Sequence, residues 1–229
     1  MRTEISWQEH QTEVIACRKC PRLVAWRGEV ARVRRRAYQE EEYWGRPVPG
    51  FGDRFGRVLI VGLAPGAHGA NRTGRMFTGD SSGKFLFSAL FKAGFANQAS
   101  AISRTDGLEL SDVFISAVCR CVPPGNKPRS DEIANCLPYL QRDIQLMENL
   151  EGIVALGRIA FDDIIALYRQ NGYEIPRLKF KRNAFYEPGK DLPWLLASYH
   201  PSRQNTQTGR LSAEMFAQVW STVRSLLES

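Results

Sequence analysis

The feature that most constrains the fold is an apolar run at residues 57–61, Arg-Val-Leu-Ile-Val, which leads through a long loop into a helix-like segment at 82–93. The run is short and β-branched, as suits a parallel strand buried on both faces. The loop between, residues 61–80, carries five glycines, one proline, a histidine, two arginines, an asparagine, a phenylalanine and a terminal aspartate. That is more polar and aromatic chemistry than a connector needs. In open α/β sheets ligands bind just beyond the carboxyl ends of the strands, which is where such a loop sits.

Strand and helix signals alternate from there. Apolar strand candidates are 57–61, 113–118, 153–156 and 194–199; helix candidates are 82–93, 131–147, 158–169 and 213–227. This order predicts an α/β fold, a three-layer α/β/α sandwich around a central four-stranded, mainly parallel sheet, with the 229 residues forming a single domain. Ser130 and Ser212 are expected to cap the helices that follow them, and Pro138 to kink its helix or mark a boundary. Upstream, residues 21–39 read as a helix whose arginines at 27, 32, 34, 35 and 36 form a solvated face or touch phosphates. Residues 43–55, rich in proline, glycine and aromatics, read as a loop packed on the domain.

The formal charge of +7 and a pI near 9.3 favour an anionic partner, nucleic acid first. Residues 1–10 have no apolar core of the kind a leader sequence needs, and no later run is long and apolar enough to span a bilayer. The expectation is a soluble intracellular protein. Gly79-Asp-Ser-Ser-Gly-Lys-Phe85 is not a phosphate-binding P-loop: only three residues separate Gly79 from Gly83-Lys84, and Phe85 stands where a hydroxyl is required. The glycines at 62, 66 and 69 likewise miss the dinucleotide spacing.

Five cysteines in a reducing compartment are metal ligands or small buried residues more often than disulfides. Cys17 and Cys20 form a C-x2-C pair, and Cys121 and Cys136 form a second pair with fourteen residues between. Four thiolates so arranged suit one zinc ion or one iron–sulfur cluster, against the alternative of scattered free thiols. Cys119, two residues before Cys121, points the other way along an extended chain and reads as a buried strand residue.

The last strand runs into Ser198-Tyr-His-Pro-Ser-Arg-Gln-Asn-Thr-Gln-Thr-Gly-Arg210, a second polar loop at the same sheet edge. Taken singly, His200 can serve only to bond backbone and Asp80 only to cap the helix after it. Together with a basic chain and a cysteine centre, two such loops favour a nucleic-acid enzyme.

The stretch G-L-A-P-G-A-H-G-A-N-R-T-G-R-M-F-T-G-D, the H-P-S-x-x-N loop (His200, Pro201, Ser202, Asn205), the segment R-C-V-P-P-G-N-K-P at 120–128 and the two cysteine pairs resemble the family 5 uracil-DNA glycosylases, relatives of the iron–sulfur family 4 enzymes. The match covers nearly the whole chain. The resemblance implies a [4Fe-4S] cluster on Cys17, Cys20, Cys121 and Cys136, held by an N-terminal segment. It also implies a monofunctional enzyme, working as a monomer in the cytoplasm and at the nucleoid, that excises deaminated bases from double-stranded DNA and starts base-excision repair.

For the base pocket the resemblance implies Gly62, Leu63, Ala64, Pro65, Gly66, His68, Phe77 and Ala117, with Phe77 as stacking platform. His200 would donate to the departing base. The turn Gly62-Leu-Ala-Pro65 lacks the polar residue that many relatives carry there, so Asp80 is the expected substitute, with Asn126 as a water or base contact. Arg72, Arg75, Ser202, Arg203, Gln204 and Asn205 are the expected DNA contacts. Gly66 follows the turn proline where strict uracil enzymes have a tyrosine, and Ala117 stands where they have a base-pairing asparagine. Loose specificity is therefore expected, extending to 5-hydroxymethyluracil and hypoxanthine. The other classes are a catalytically silent DNA-binding module of this fold and a zinc or redox protein centred on its cysteines.

Overall fold

The structure is a computed structural model in which residues 6–228 are described. Residues 1–5, half of the stretch read as lacking a leader's apolar core, lie outside it. Four parallel strands form the centre: β2 (Val58–Gly62), β3 (Val113–Ala117), β4 (Gly152–Leu156) and β6 (Trp194–Ser198). The expectation of four strands is corrected to six, in the order β1-β3-β2-β4-β6-β5. The added edge strands, β1 (Phe51–Gly52) and β5 (Ala184–Tyr186), pair antiparallel and are too short to show alternation in the sequence. β1 lies within the stretch 43–55 that reads as loop.

The pleat sends alternate strand residues to two separate cores. Val58, Ile60, Ile115, Val154 and Leu196 pack under α4 (Ser81–Lys92) and α8 (Ala213–Leu227). Leu59, Val61, Phe114, Ile153 and Leu195 pack under α5 (Ser130–Leu146) and α6 (Arg158–Gln170). Those are the three layers expected. Chain connections run from β2 outward to β3, then back across β2 to β4, so the carboxyl ends of β2 and β4 flank the point where the chain reverses direction, the usual place for a crevice.

Several helix limits differ from expectation. α5 starts at Ser130 rather than being capped by it; Arg129 is the cap residue, and its backbone N–H donates to the Glu132 carboxylate at 2.8 Å. α5 also runs on past Pro138 to Leu146, so that proline marks no boundary. Ser212 does cap α8, accepting from the Met215 N–H. The helix read over 21–39 ends as α2 (Pro21–Val33), because Arg34 takes a left-handed φ of 57° and a short 3-10 turn follows. α1 (Trp7–Ala16), α3 (Ala70–Thr73) and α7 (Arg203–Gln207) have no counterpart among the expected helices. No described helix is long and apolar enough to cross a membrane.

Candidate active site

The loops after β2, β3, β4 and β6 enclose one cleft of about 1190 Å³. It is lined by Gly62, Leu63, Ala64, Pro65, Gly66, His68, Phe77, Asp80, Ala117, Asn126, His200, Ser202, Arg203, Gln204 and Asn205. Every residue expected in the base pocket or in catalysis is thus brought to one place. A second groove of about 750 Å³ between α4 and α8 is walled by Phe85, Phe216 and Trp220 and contains none of those residues. The expected site residues belong to the first.

Phe77 owes its position to an unusual backbone. Its φ of 53° is left-handed, rare for a bulky residue and a conformation that costs on the order of 1–3 kcal/mol unless the surroundings hold it. Its ring lies so close to Gly62 that a Cβ there would come within 2.9 Å of it, which is why β2 ends in glycine. The ring also stacks on the His200 imidazole, with centroids 5.7 Å apart and planes 29° from parallel. Burial lowers the His200 pKa to about 4, so the ring is neutral at pH 7. Asn205 Nδ2 donates to the His200 carbonyl at 2.8 Å, and Ser202 Oγ caps α7, so the H-P-S-x-x-N loop is held by its own side chains.

Asp80 caps α4 and lines the cleft. Oδ1 accepts the Gly83 N–H at 3.0 Å and caps α4, while Oδ2 lies against the turn of Gly66 to Gly69, where a Cβ on Gly69 would sit 2.1 Å away. Burial raises its pKa above the usual carboxylate range, against the pull of the Gly83 and Ser82 N–H groups and of Arg72. Asn126 stands exposed at the rim with a left-handed φ of 57°.

Two expected DNA contacts are corrected. Arg72 is buried: its guanidinium bonds the Glu41 carboxylate and the carbonyls of His68 and Gly79, and stacks over Tyr38. Arg75 is buried in a two-pronged pair with Asp106, at 2.8 and 2.7 Å. Both arginines hold the loop that carries Phe77. Conversely Tyr38, Arg158, Tyr199 and Arg210 line the cleft and were missed, and Arg35, weighed as a solvated or phosphate-touching residue, lines it with them. Tyr199 directly follows β6 and Arg158 lies two residues past the end of β4, so the strand-end reasoning used for the first loop reaches them too.

Cys17, Cys20, Cys121 and Cys136 line a separate small pocket between α2 and α5. Arg27 Nη1 donates to Cys121 Sγ at 2.8 Å, the Arg120 backbone N–H to Cys136 Sγ at 3.2 Å, and Asn135 Nδ2 to Cys20 Sγ at 3.7 Å. Donors aimed at sulfur suit anionic thiolates, so the residues fit a thiolate-bound group. Among the described residues no three such ligands are grouped as a single-ion site. Cys119 is buried in the lower core and does not line the pocket, although it lies two residues beyond β3 rather than in it. Arg27 is thereby corrected from a solvated face to a buried sulfur contact. Behind the pocket, Asp143 accepts from His10 at 2.8 Å, from Ser116 at 2.6 Å and from Arg120, tying α1, β3 and α5 together.

The family model of the uracil DNA glycosylase superfamily matches residues 49–224. The chain is 50% identical over 205 residues to a type-5 uracil-DNA glycosylase of Thermus thermophilus, covering 89% of this chain and 90% of that one. It is 45% identical over 214 residues to the type-5 enzyme of Mycobacterium tuberculosis, covering 93% and 79%. To a type-4 uracil-DNA glycosylase of Sulfurisphaera tokodaii the identity is 30% over 198 residues, covering 86% and 74%. Cleft, loops and cysteine pairs accord with these likenesses, and the chain belongs to the type-5 family of the uracil DNA glycosylase superfamily.

Proposed function

We propose that the protein is a DNA glycosylase that extrudes uracil and other deaminated bases from double-stranded DNA and hydrolyses their N-glycosidic bond, acting as a monomer within the cytoplasm. The observation that carries this reading is the convergence of Phe77, His200, Asp80 and the 202–205 loop on one cleft at a sheet edge. A glycosylase must unstack its nucleotide, give the base a new face to stack on, and stabilise charge as the bond breaks. Phe77 supplies the face. Neutral His200 donates to the base oxygen on which negative charge grows, and the Asp80 carboxylate stabilises the cationic sugar or orients water. Asn126 contributes a water or base contact from the rim. Arg203 and Gln204, exposed at the start of α7, fill the gap left in the duplex.

Cys17, Cys20, Cys121 and Cys136 would hold a [4Fe-4S] cluster. When bound, it cross-links the N-terminal segment to the β3–α5 region of the same domain. Substrate range follows from the cleft walls. Gly66 brings no side chain to the cleft, and Ala117 offers only a methyl group; a pocket that makes few obligatory hydrogen bonds discriminates weakly. We therefore include 5-hydroxymethyluracil and hypoxanthine among the substrates.

The test is single-turnover incubation with duplexes carrying uracil, 5-hydroxymethyluracil or hypoxanthine, followed by alkaline strand cleavage. Cleavage at all three supports the reading, and cleavage at uracil alone refutes the open pocket. Intact strands throughout would identify a catalytically silent DNA-binding module.

A further inference from the structure

His68 lines the cleft, the mechanism above leaves it without a role, and its surroundings bear on its chemistry. The Arg35 backbone N–H donates to the Tyr43 hydroxyl at 3.4 Å. The same hydroxyl lies 3.0 Å from His68 Nδ1, and with the Arg35 N–H on one lone pair its own hydrogen is free to be donated there. Nδ1 is then the acceptor, so the imidazole hydrogen of the neutral ring is on Nε2. Tyr43 is buried and meets the His68 ring edge-on at 6.1 Å, which holds the imidazole in place. Burial, with Arg35 and Arg72 close by, lowers the His68 pKa and favours that neutral form. Nε2 has no protein partner among the described residues, while His68 lines the cleft and is only partly buried. Its turn packs against Asp80: a Cβ on Gly66 would lie 2.9 Å from the carboxylate. Across the sheet edge, Ala117 pairs with Gly62 and presents no polar atom from its side chain.

We propose that His68 reads the extruded base, its proton fixed on Nε2 by the Tyr43 hydroxyl and donated to a carbonyl oxygen of that base. Deamination puts such an oxygen where the parent base had an exocyclic amine, at C4 of uracil and at C6 of hypoxanthine, whereas cytosine and adenine present an amino group there. A single N–H donor aimed at that position favours the deaminated base over its amino parent without ranking uracil against hypoxanthine, and leaves thymine and guanine, which carry the same oxygen, to be excluded by their pairing in the duplex. This inference rests on the glycosylase reading and adds the contact that recognises its substrates.

The experiment measures single-turnover excision by the wild type, Tyr43→Phe, His68→Ala and His68→Gln from G-opposed duplexes carrying uracil, 2-thiouracil or 4-thiouracil. Sulfur is a weaker acceptor than oxygen. One of the two sulfur substitutions should slow the wild type by about tenfold, the scale of one lost hydrogen bond. His68→Ala should slow uracil excision by a similar factor and show no further loss with that analogue, as coupled partners do. His68→Gln, which keeps an N–H donor, should recover part of the rate, and Tyr43→Phe should fall between wild type and His68→Ala. Multiplicative losses overturn the proposal, as does a loss equal on all three substrates with a salt dependence of binding shallower by about one ion, which marks a phosphate contact. Should the wild type leave uracil duplexes intact, the glycosylase reading itself falls. If it cleaves them and no coupling is found, only the role of His68 does.

Discussion

Replacing Asp80 separates its two roles, because asparagine keeps one and loses the other. As the cap of α4, Asp80 accepts one hydrogen bond from the Gly83 N–H. Asparagine caps about as well, so Asp80→Asn should change stability by only a few tenths of a kcal/mol, whereas Asp80→Ala should cost about 1 kcal/mol. In a chain of 229 residues the latter lowers Tm by about 2–4 °C. Activity should sort the variants differently. Both lose the negative charge beside the scissile bond, and removing a preorganised group of this kind costs about 10²-fold or more, roughly 2.7 kcal/mol of barrier.

The pH dependence has a definite sign. Burial raises the folded pKa of Asp80, so the native state holds the proton more tightly than the unfolded chain. Deprotonation therefore costs stability as pH rises from the ordinary carboxylate pKa through the raised one, while the active form appears only above the latter. The acid limb of the single-turnover rate should lie above the usual carboxylate range in the wild type and vanish in Asp80→Asn. Rates from pH 4 to 8 with thermal melts of all three proteins check this. A near-normal rate for Asp80→Asn would refute the catalytic role and leave Asp80 a helix cap.

His200 is held neutral, its pKa lowered from 6.5 to about 4, so the unfolded chain binds more protons between those values and stability falls as pH drops through that window, by at most about 3 kcal/mol. His200→Gln should flatten that part of the denaturation profile and slow excision; an unchanged profile would place the imidazole in water. Cys17→Ser or Cys136→Ser should abolish brown visible absorbance and lower stability, since the cross-link spans about a hundred residues between the two pairs, whereas Cys119→Ser should keep the colour; visible spectra decide it. Arg75→Ala leaves Asp106 unpaired and should destabilise by about 3 kcal/mol with the salt dependence of DNA binding unchanged, while Arg203→Ala should reduce that slope by about one and leave Tm alone; titrations at several salt concentrations compare them.

What could be read from the sequence tracks how local each signal is. β2, β3, β4 and β6 are buried on both faces and announce themselves as unbroken apolar runs. β1 and β5 are two and three residues long, and only their pairing with β3 and β6 makes them strands. The site was legible as a set of strand-end loops, and Phe77, Asp80 and His200 share one cleft as that reasoning requires. Arg72 and Arg75 were misplaced because an arginine in a polar loop looks the same whether it meets solvent or a distant acid. Glu41 and Asp106, each 31 positions away, settle the matter only in three dimensions. Arg27 failed for the same reason, its partner Cys121 being 94 positions distant.

That sorting of arginines changes what the net charge of +7 means. Arg22, Arg57, Arg72, Arg75, Arg120 and Arg142 are each paired with a carboxylate, which cancels their field at any distance beyond the pair. Arg35, Arg158, Arg203 and Arg210 line the cleft, are exposed, and have no acidic partner among the described residues. Arg158 and Arg210 instead lie over the rings of Phe180 and Tyr199, which leaves their charge intact and holds it at the rim. These four uncompensated charges thus stand at the cleft through which, on the proposed reading, a base reaches Phe77. The arginines of the first loop act one step earlier: by holding Glu41, Asp106 and the loop carbonyls, they keep Phe77 in its left-handed backbone before any DNA arrives. Charge that steers and charge that preorganises are therefore carried by different arginines, and only the first kind should respond to salt.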